Sequence, residues 1–377
     1  MKIDQKRWQT NSGWQSVIEN NITDTAQLVL LFGSSDLIKN EDTFQEIKKL
    51  YPAAHILGCS TAGEICGTEV TDDTLVLTAI EFEHTTIQAS SSIIDNMKNS
   101  FSVGQALVKT LPTKDLVHAF VLSDGVNVNG SELVKGITKQ LPDNVTVTGG
   151  LSGDADKFEE TYVVCNKQGQ KNTVGIIGLY GSHLEVGYSS LGGWDPFGPQ
   201  RVVTKSTNNI LYELDGKSAL ELYKSYLGEH AKDLPASGLL FPLTIRTSDT
   251  DEWVVRTLLA VNEEDSSLVF AGDIPENSQA RLMKANFERL IDGAHNAAKT
   301  IHEKTSTVDL AILISCVGRK MILKQRIEEE VEAVSDIFNK SAVLTGFYSY
   351  GEISPFTSNA KCELHNQTMT ITTLTER

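Results

Sequence analysis

Short apolar runs punctuate the chain, and three of them open a repeated unit. Leu28–Phe32 leads into Gly33-Ser34-Ser35-Asp36, a helix expected near Thr43–Leu50, and a second strand closing at Gly58. Ala119–Leu122 leads into Ser123-Asp124-Gly125, a helix near Ser131–Gln140, and a strand closing at Gly149-Gly150. Leu310–Ser315 leads into Cys316-Val317-Gly318-Arg319, a helix from about Lys324 to Asn339, and a strand closing at Gly346. Each unit spans about thirty residues, the third slightly more, which is the size of a strand–helix–strand crossover with parallel strands. In the third helix Ile327, Val331, Val334 and Phe338 recur at helical spacing with acidic residues opposite.

Between these units the pattern changes to β-branched runs broken by Gly, Asn and Asp, read as antiparallel strands. They are Thr161–Val164, Thr173–Leu179, Leu184–Ser189, Val202–Thr204, Trp253–Val261 and Leu268–Ala271. Helices are expected at Ser12–Asn20, on the stripe Trp14, Val17 and Ile18, at Ser218–Leu227, and at Gln279–Ile301. The fold class is therefore α/β, with two closely packed domains, repeated strand–helix–strand units and additional antiparallel strands. At 377 residues two domains are the default, and the clearest boundary is Asp215–Ser218, giving 26–216 and 217–370.

Composition narrows the partners. The 49 acidic against 33 basic residues leave a net charge of −16, which argues against nucleic acid or an anionic membrane. The first residues lack the apolar core of a signal peptide, and no apolar run approaches the ~18 residues that span a bilayer. A cytoplasmic location is expected. The five cysteines include no CxxC pair and read as free thiols.

One pattern is written twice. Gly58-Cys59-Ser60-Thr61-Ala62-Gly63-Glu64-Ile65 and Gly346-Phe347-Tyr348-Ser349-Tyr350-Gly351-Glu352-Ile353 are both G-x-x-x-x-G-E-I at the end of an apolar run. Loops after parallel strands are common ligand positions, and glycine lets backbone N–H groups approach a ligand. The equally open alternative is that the glycines only serve tight turns. The Lys-Ser/Thr of a nucleotide P-loop is missing from both copies, so a nucleoside triphosphate is not expected.

These motifs, with Gly149-Gly150-Leu151-Ser152-Gly153-Asp154, Gly193-Trp194-Asp195-Pro196-Phe197-Gly198, Glu213-Leu214-Asp215-Gly216, Ser315-Cys316-Val317-Gly318-Arg319 and His365-Asn366-Gln367-Thr368, resemble the FIST family. They occur in the family's order over residues 26–370, covering its N and C parts. The resemblance implies a sensory module that binds a small ligand and is not an enzyme. It implies an output on a separate partner, a histidine kinase or a diguanylate cyclase or phosphodiesterase of cyclic-di-GMP signalling, since the last motif lies a few residues before Arg377. Stand-alone members that bind haem and sense nitric oxide are one subset it is similar to; a module for an amino acid or other metabolite, without haem, is the alternative.

The candidate ligand residues are Gly58, Cys59, Glu64, Asp124, Asp154, Trp194, Arg319, Tyr348, Tyr350, Gly351 and Glu352, with the aromatic copy Gly346–Glu352 carrying most of the expectation. Asp124 and Asp154 lie in turn sequences and read as turn residues at least as readily. Trp194 suits a pocket wall, a partner surface or a pinned loop, and Arg319 a carboxylate, a haem propionate or a surface ion pair. An axial haem ligand would come from His183, His365, Cys59 or Cys316. A thiol hydrolase built on Cys59 or Cys316 is the remaining reading, weakened by the missing G-x-S-x-G.

Overall fold

The computed structural model describes residues 1–249, 251–305, 307–355 and 361–377. All three crossover units form, with parallel pairs in equivalent register: Leu31 lies opposite Gly58, Val121 opposite Gly149, and Leu313 opposite Gly346. A Cβ on these glycines would stand 2.2 Å from the Leu31 carbonyl oxygen, 1.8 Å from that of Val121 and 1.8 Å from that of Leu313. Only glycine fits there. In each unit a return strand, Leu75–Glu81, Thr173–Tyr180 or Met369–Glu376, pairs antiparallel with the unit's first strand.

The strand after each closing glycine then leaves its own unit. Glu64–Cys66 pairs with Val343–Ser349, Gly351–Pro355 with Thr146–Leu151, and Val163–Cys165 with His55–Ser60. The exchange is cyclic, so three six-stranded sheets are closed into a ring among the described residues. Their inner faces share one core, to which Leu30 and Phe32, Phe120 and Leu122, and Ile312 and Ile314 all contribute. Their outer faces carry the helices Glu41–Leu50, Ser100–Val108 with Gly130–Thr138, and Phe287–His302 with Ile327–Ile337. Burial on both faces explains why these strands read as continuous apolar runs rather than alternating ones.

Between the strand Leu184–Leu191 and the third unit lies an inserted domain, a nine-stranded antiparallel sheet from Asp195 to Lys284 around Val203, Leu211, Leu243 and Phe270. Its strand Ile210–Leu214 pairs with both Lys217–Ser218 and Ser267–Phe270, so hydrogen bonding runs straight across Asp215–Ser218. Among the described residues no helix is long and apolar enough to cross a membrane.

Four local expectations change. Gly13–Ile18 is a strand, with Trp14 opposite Trp8 on Lys2–Gln9, because hairpin pairing overrides a short helical stripe. Gln279–Lys284 is likewise a strand, seated between Arg201–Thr207 and Leu243–Arg246, and the helix starts only at Phe287 after the Asn286 cap. Trp253–Val261 breaks into Val254–Arg256 and Leu258–Asn262. In the third unit a separate helix, Val317–Leu323, precedes Ile327–Ile337.

Candidate functional site

The strand His55–Ser60 and the exchanged strand Glu64–Cys66 are joined by just Thr61, Ala62 and Gly63. Gly58 and Cys59, expected in a loop, therefore lie inside the strand and are fully covered. Above the three-residue loop opens a cleft of about 550 Å³, a size suited to a metabolite. All three units contribute to it: Glu64 and Asp72 from the first, Asp154 and Glu160 from the second, and Lys320 from the third.

Glu64 forms the floor and is 1% exposed. Its carboxyl accepts from the Thr61 hydroxyl and, through Oε2, from both the backbone N–H (3.1 Å) and the hydroxyl (2.7 Å) of Thr74. Burial pushes its pKa up to about 7, with Asp72 adding to the rise and the hydrogen bonds opposing it. Lys320 donates to the Ala62 carbonyl at 2.8 Å, pairs with Asp72, and stands 5.8 Å over the Tyr348 ring. It fits because residue 63 is glycine: a Cβ there would fall 2.5 Å from Nζ, and the φ of +138° disfavours any other residue.

Asp154 shapes the cleft rather than standing free in it. Its carboxylate accepts from the N–H groups of Phe158 (2.9 Å), Glu159 (2.9 Å) and Glu160 (2.8 Å), and from the Tyr350 hydroxyl. Tyr350 also stacks on Phe158, with ring centroids 4.2 Å apart. The loop so organised is peculiar to the second unit. Fifteen residues separate Gly149 from Val164, against seven from Gly58 to Ile65 and from Gly346 to Ile353, and these pairs hold matching sheet positions. Val163 takes the place of the glutamates, which explains why the third copy of the motif lacks Glu-Ile.

The aromatic copy Gly346–Glu352 was expected to be the stronger site; the cleft above the Thr61–Gly63 loop opens on the first copy. Tyr348 is fully buried, with its hydroxyl donating to Glu330 at 2.8 Å. Gly351 opens the strand Gly351–Pro355, and Glu352 is wholly buried, accepting from Ser349 (2.6 Å) and from the N–H (3.2 Å) and hydroxyl (3.0 Å) of Thr368.

The Arg319 guanidinium is engaged inside the protein. It is 0% exposed, donates to Glu330 at 3.0 and 2.7 Å, and donates also to the carbonyls of Gly192 (2.6 Å) and Leu290 (2.7 Å). Asp124 is a turn cap, accepting from the N–H groups of Val126, Asn127 and Asn172. Trp194 pins its loop, its indole N–H donating to the Gln367 carbonyl at 2.8 Å.

Cys59 and Cys316 are buried core thiols, and burial pushes both well above the usual thiol range, which leaves them uncharged. Of the two histidines proposed as axial ligands, His183 is exposed at the other end of the strands, against the Arg377 carbonyl. His365 is buried with Nε2 on the Ser354 carbonyl at 2.6 Å, and burial draws its pKa down to about 4. Neither borders the cleft, and no group of three or more His, Cys, Asp or Glu among the described residues is placed to hold a metal. No histidine or cysteine that could serve as an axial ligand lines this cleft.

Residues 27–217 match the FIST N domain and residues 219–355 the FIST C domain. The chain belongs to the FIST family. FIST domains are sensory, ligand-binding modules of signal transduction, and this FIST protein carries both parts. It is 22% identical over 346 residues to the uncharacterized protein MJ1623 of Methanocaldococcus jannaschii, an alignment covering 85% of this chain and 66% of that protein, just under two thirds of its length. A solved cyanuric acid hydrolase from A. caulinodans aligns with a TM-score of 0.34 and 7% identity over 94% of this chain and 90% of that one, too distant to carry an inference.

Sequence reasoning missed Lys320, one residue beyond the Cys316–Arg319 motif, and Thr74. A signal for Thr74 was present: Asp73-Thr74, Asn172-Thr173 and Gln367-Thr368 each lead into a return strand, and Asp73, Asn172 and Gln367 all hold positive φ (56°, 53° and 61°).

Proposed function

We propose that this FIST protein is a cytoplasmic sensor for a small amine-bearing metabolite of the amino-acid class, held in the Thr61–Glu64 cleft. A separate output protein, a histidine kinase or an enzyme of cyclic-di-GMP turnover, reads its occupancy. The observation that carries the reading is the meeting of Glu64, Asp154 and Lys320, one from each unit, around a single metabolite-sized cleft. Eight carboxyl residues and three lysines border it, a balance that favours a ligand amine, and Lys320, which uses two of its N–H groups on Ala62 and Asp72, has a third for a ligand carboxylate. A ligand touching all three units favours one packing of the ring over others, and so biases the surface a partner sees.

Calorimetric titration with the common amino acids and their decarboxylated amines tests this. Saturable binding of at least one, weakened tenfold or more in both Glu64→Gln and Lys320→Ala with the fold intact by circular dichroism, is the expected result. Binding untouched by both substitutions, or no binding from the whole panel, would overturn the reading.

A further inference from the structure

The Glu64 cleft has a counterpart in the third unit. Glu352 occupies the sheet position of Glu64, each one residue before the isoleucine that faces a closing glycine, Ile353 on Gly149 and Ile65 on Gly346. Thr368 serves Glu352 as Thr74 serves Glu64, through N–H and hydroxyl on the same carboxyl oxygen. The Thr368 carbonyl accepts from Cys316 N–H as the Thr74 carbonyl accepts from Ser34 N–H, both at 3.2 Å. The turn before the threonine is equivalent as well, with Asn366-Gln367 standing where Asp72-Asp73 line the first cleft.

Two things differ. The inserted domain and its approach roof the third-unit turn: Trp194 donates to the Gln367 carbonyl, the Gln367 amide reaches the Leu239 carbonyl at 3.5 Å, and Arg256 donates to the Leu364 carbonyl at 3.0 Å. The two aspartates are replaced by amides, which suits a place closed to water, where unpaired carboxylates would be costly. Yet the amides are not consumed by the roof. Asn366 is 1% exposed with neither its Nδ2 nor its Oδ1 hydrogen-bonded, and Gln367 is 0% exposed with Oε1 unpartnered. Buried polar atoms are rarely left so, and here one donor and two acceptors are left together in one turn.

We propose that the Glu352–Asn366–Gln367 niche is a second ligand site, taking a small uncharged molecule that presents an N–H donor and a carbonyl acceptor, as a primary amide or lactam does. Its donor meets the free Oδ1 or Oε1, and its carbonyl meets Asn366 Nδ2. Burial pushes the Glu352 carboxyl up to about 8, and its oxygens are already taken up by Ser349 and Thr368. Entry requires the inserted domain to lift at Trp194, which makes that indole the natural reporter. The site is separate from the Glu64 cleft and does not depend on what binds there.

The test uses the full chain with Trp8, Trp14 and Trp253 replaced by Phe, leaving Trp194 as its single tryptophan, titrated with acetamide and with 2-pyrrolidinone. The expected result is a saturable change in Trp194 emission with either probe, at least fivefold weaker in Asn366→Leu and in the more conservative Asn366→Asp, and unchanged in Glu64→Gln. Circular dichroism melts confirm that each variant is folded. Absence of a saturable response to both probes, a response that survives both Asn366 substitutions, or a crystal soaked in either probe that shows water alone on Asn366 would each overturn the proposal.

Discussion

Thr74 grips one oxygen of Glu64 twice, with its backbone N–H at 3.1 Å and its hydroxyl at 2.7 Å, although ten residues separate the two in sequence. Thr368 repeats the grip on Glu352 across sixteen residues. Each carboxyl is thus held in place by the threonine that leads into its own unit's return strand, while the strand that bears it hydrogen-bonds to a neighbouring unit. The device fixes acids at the ring's inner joints without an ion pair, and it leaves them titratable near neutrality.

That arrangement has a pH signature. Burial raises the Glu64 and Glu352 carboxyls from 4.5 to about 7 and about 8, so the folded chain binds more protons than the unfolded chain between 4.5 and those values, and stability falls as pH rises through that window. Buried His118 and His365 act oppositely. Their folded values are lowered to about 3 and about 4, so stability rises with pH up to the unfolded value near 6.5. The two trends offset each other below about pH 6.5, and above it the carboxyls alone remain, Glu352 contributing a loss of about 2 kcal/mol by pH 8 at ~1.4 kcal/mol per unit. Urea unfolding at pH 6.5 and 8 is expected to show this fall, and Glu352→Gln to remove most of it.

The Arg319–Glu330 pair is fully buried. Glu330 also accepts from Ser315 (3.0 Å) and Tyr348 (2.8 Å), so removing the arginine strands a buried carboxylate. Arg319→Ala is expected to cost about 3–5 kcal/mol in chemical denaturation. Arg319→Lys recovers little, because one ammonium cannot reach Glu330 and two carbonyls in the guanidinium's geometry.

Gly58→Ala, Gly149→Ala and Gly346→Ala each drive a methyl into the neighbouring strand's carbonyl. Losses of about 3 kcal/mol or more are expected in thermal or urea unfolding, larger for Gly149 and Gly346, where the approach is closer. Equal stability of all three variants with the parent would show that the parallel register is wrong.

The buried thiols give a direct check on the hydrolase reading. Cys59 and Cys316 are expected to resist iodoacetamide in the folded chain at pH 7.5 and to react on denaturation, as read by mass spectrometry of the labelled peptides. Fast native labelling at Cys59 would instead mark an activated thiolate.

The sequence by itself determined the three crossover units, their closing glycines and the family, because short-range apolar pattern and turn chemistry dictate strand, helix and turn within about thirty residues. It did not determine which acid faces a cleft. Glu64 and Glu352 sit in the same local motif with the same threonine grip, and they differ only because the second unit's long loop frames one while the inserted domain roofs the other. Gln279–Lys284 shows the same limit from the other side: a helical apolar stripe becomes a strand once Arg201–Thr207 and Leu243–Arg246 offer it hydrogen bonds on both edges. Pairing between segments far apart in the chain made those choices, and local periodicity carries no record of it.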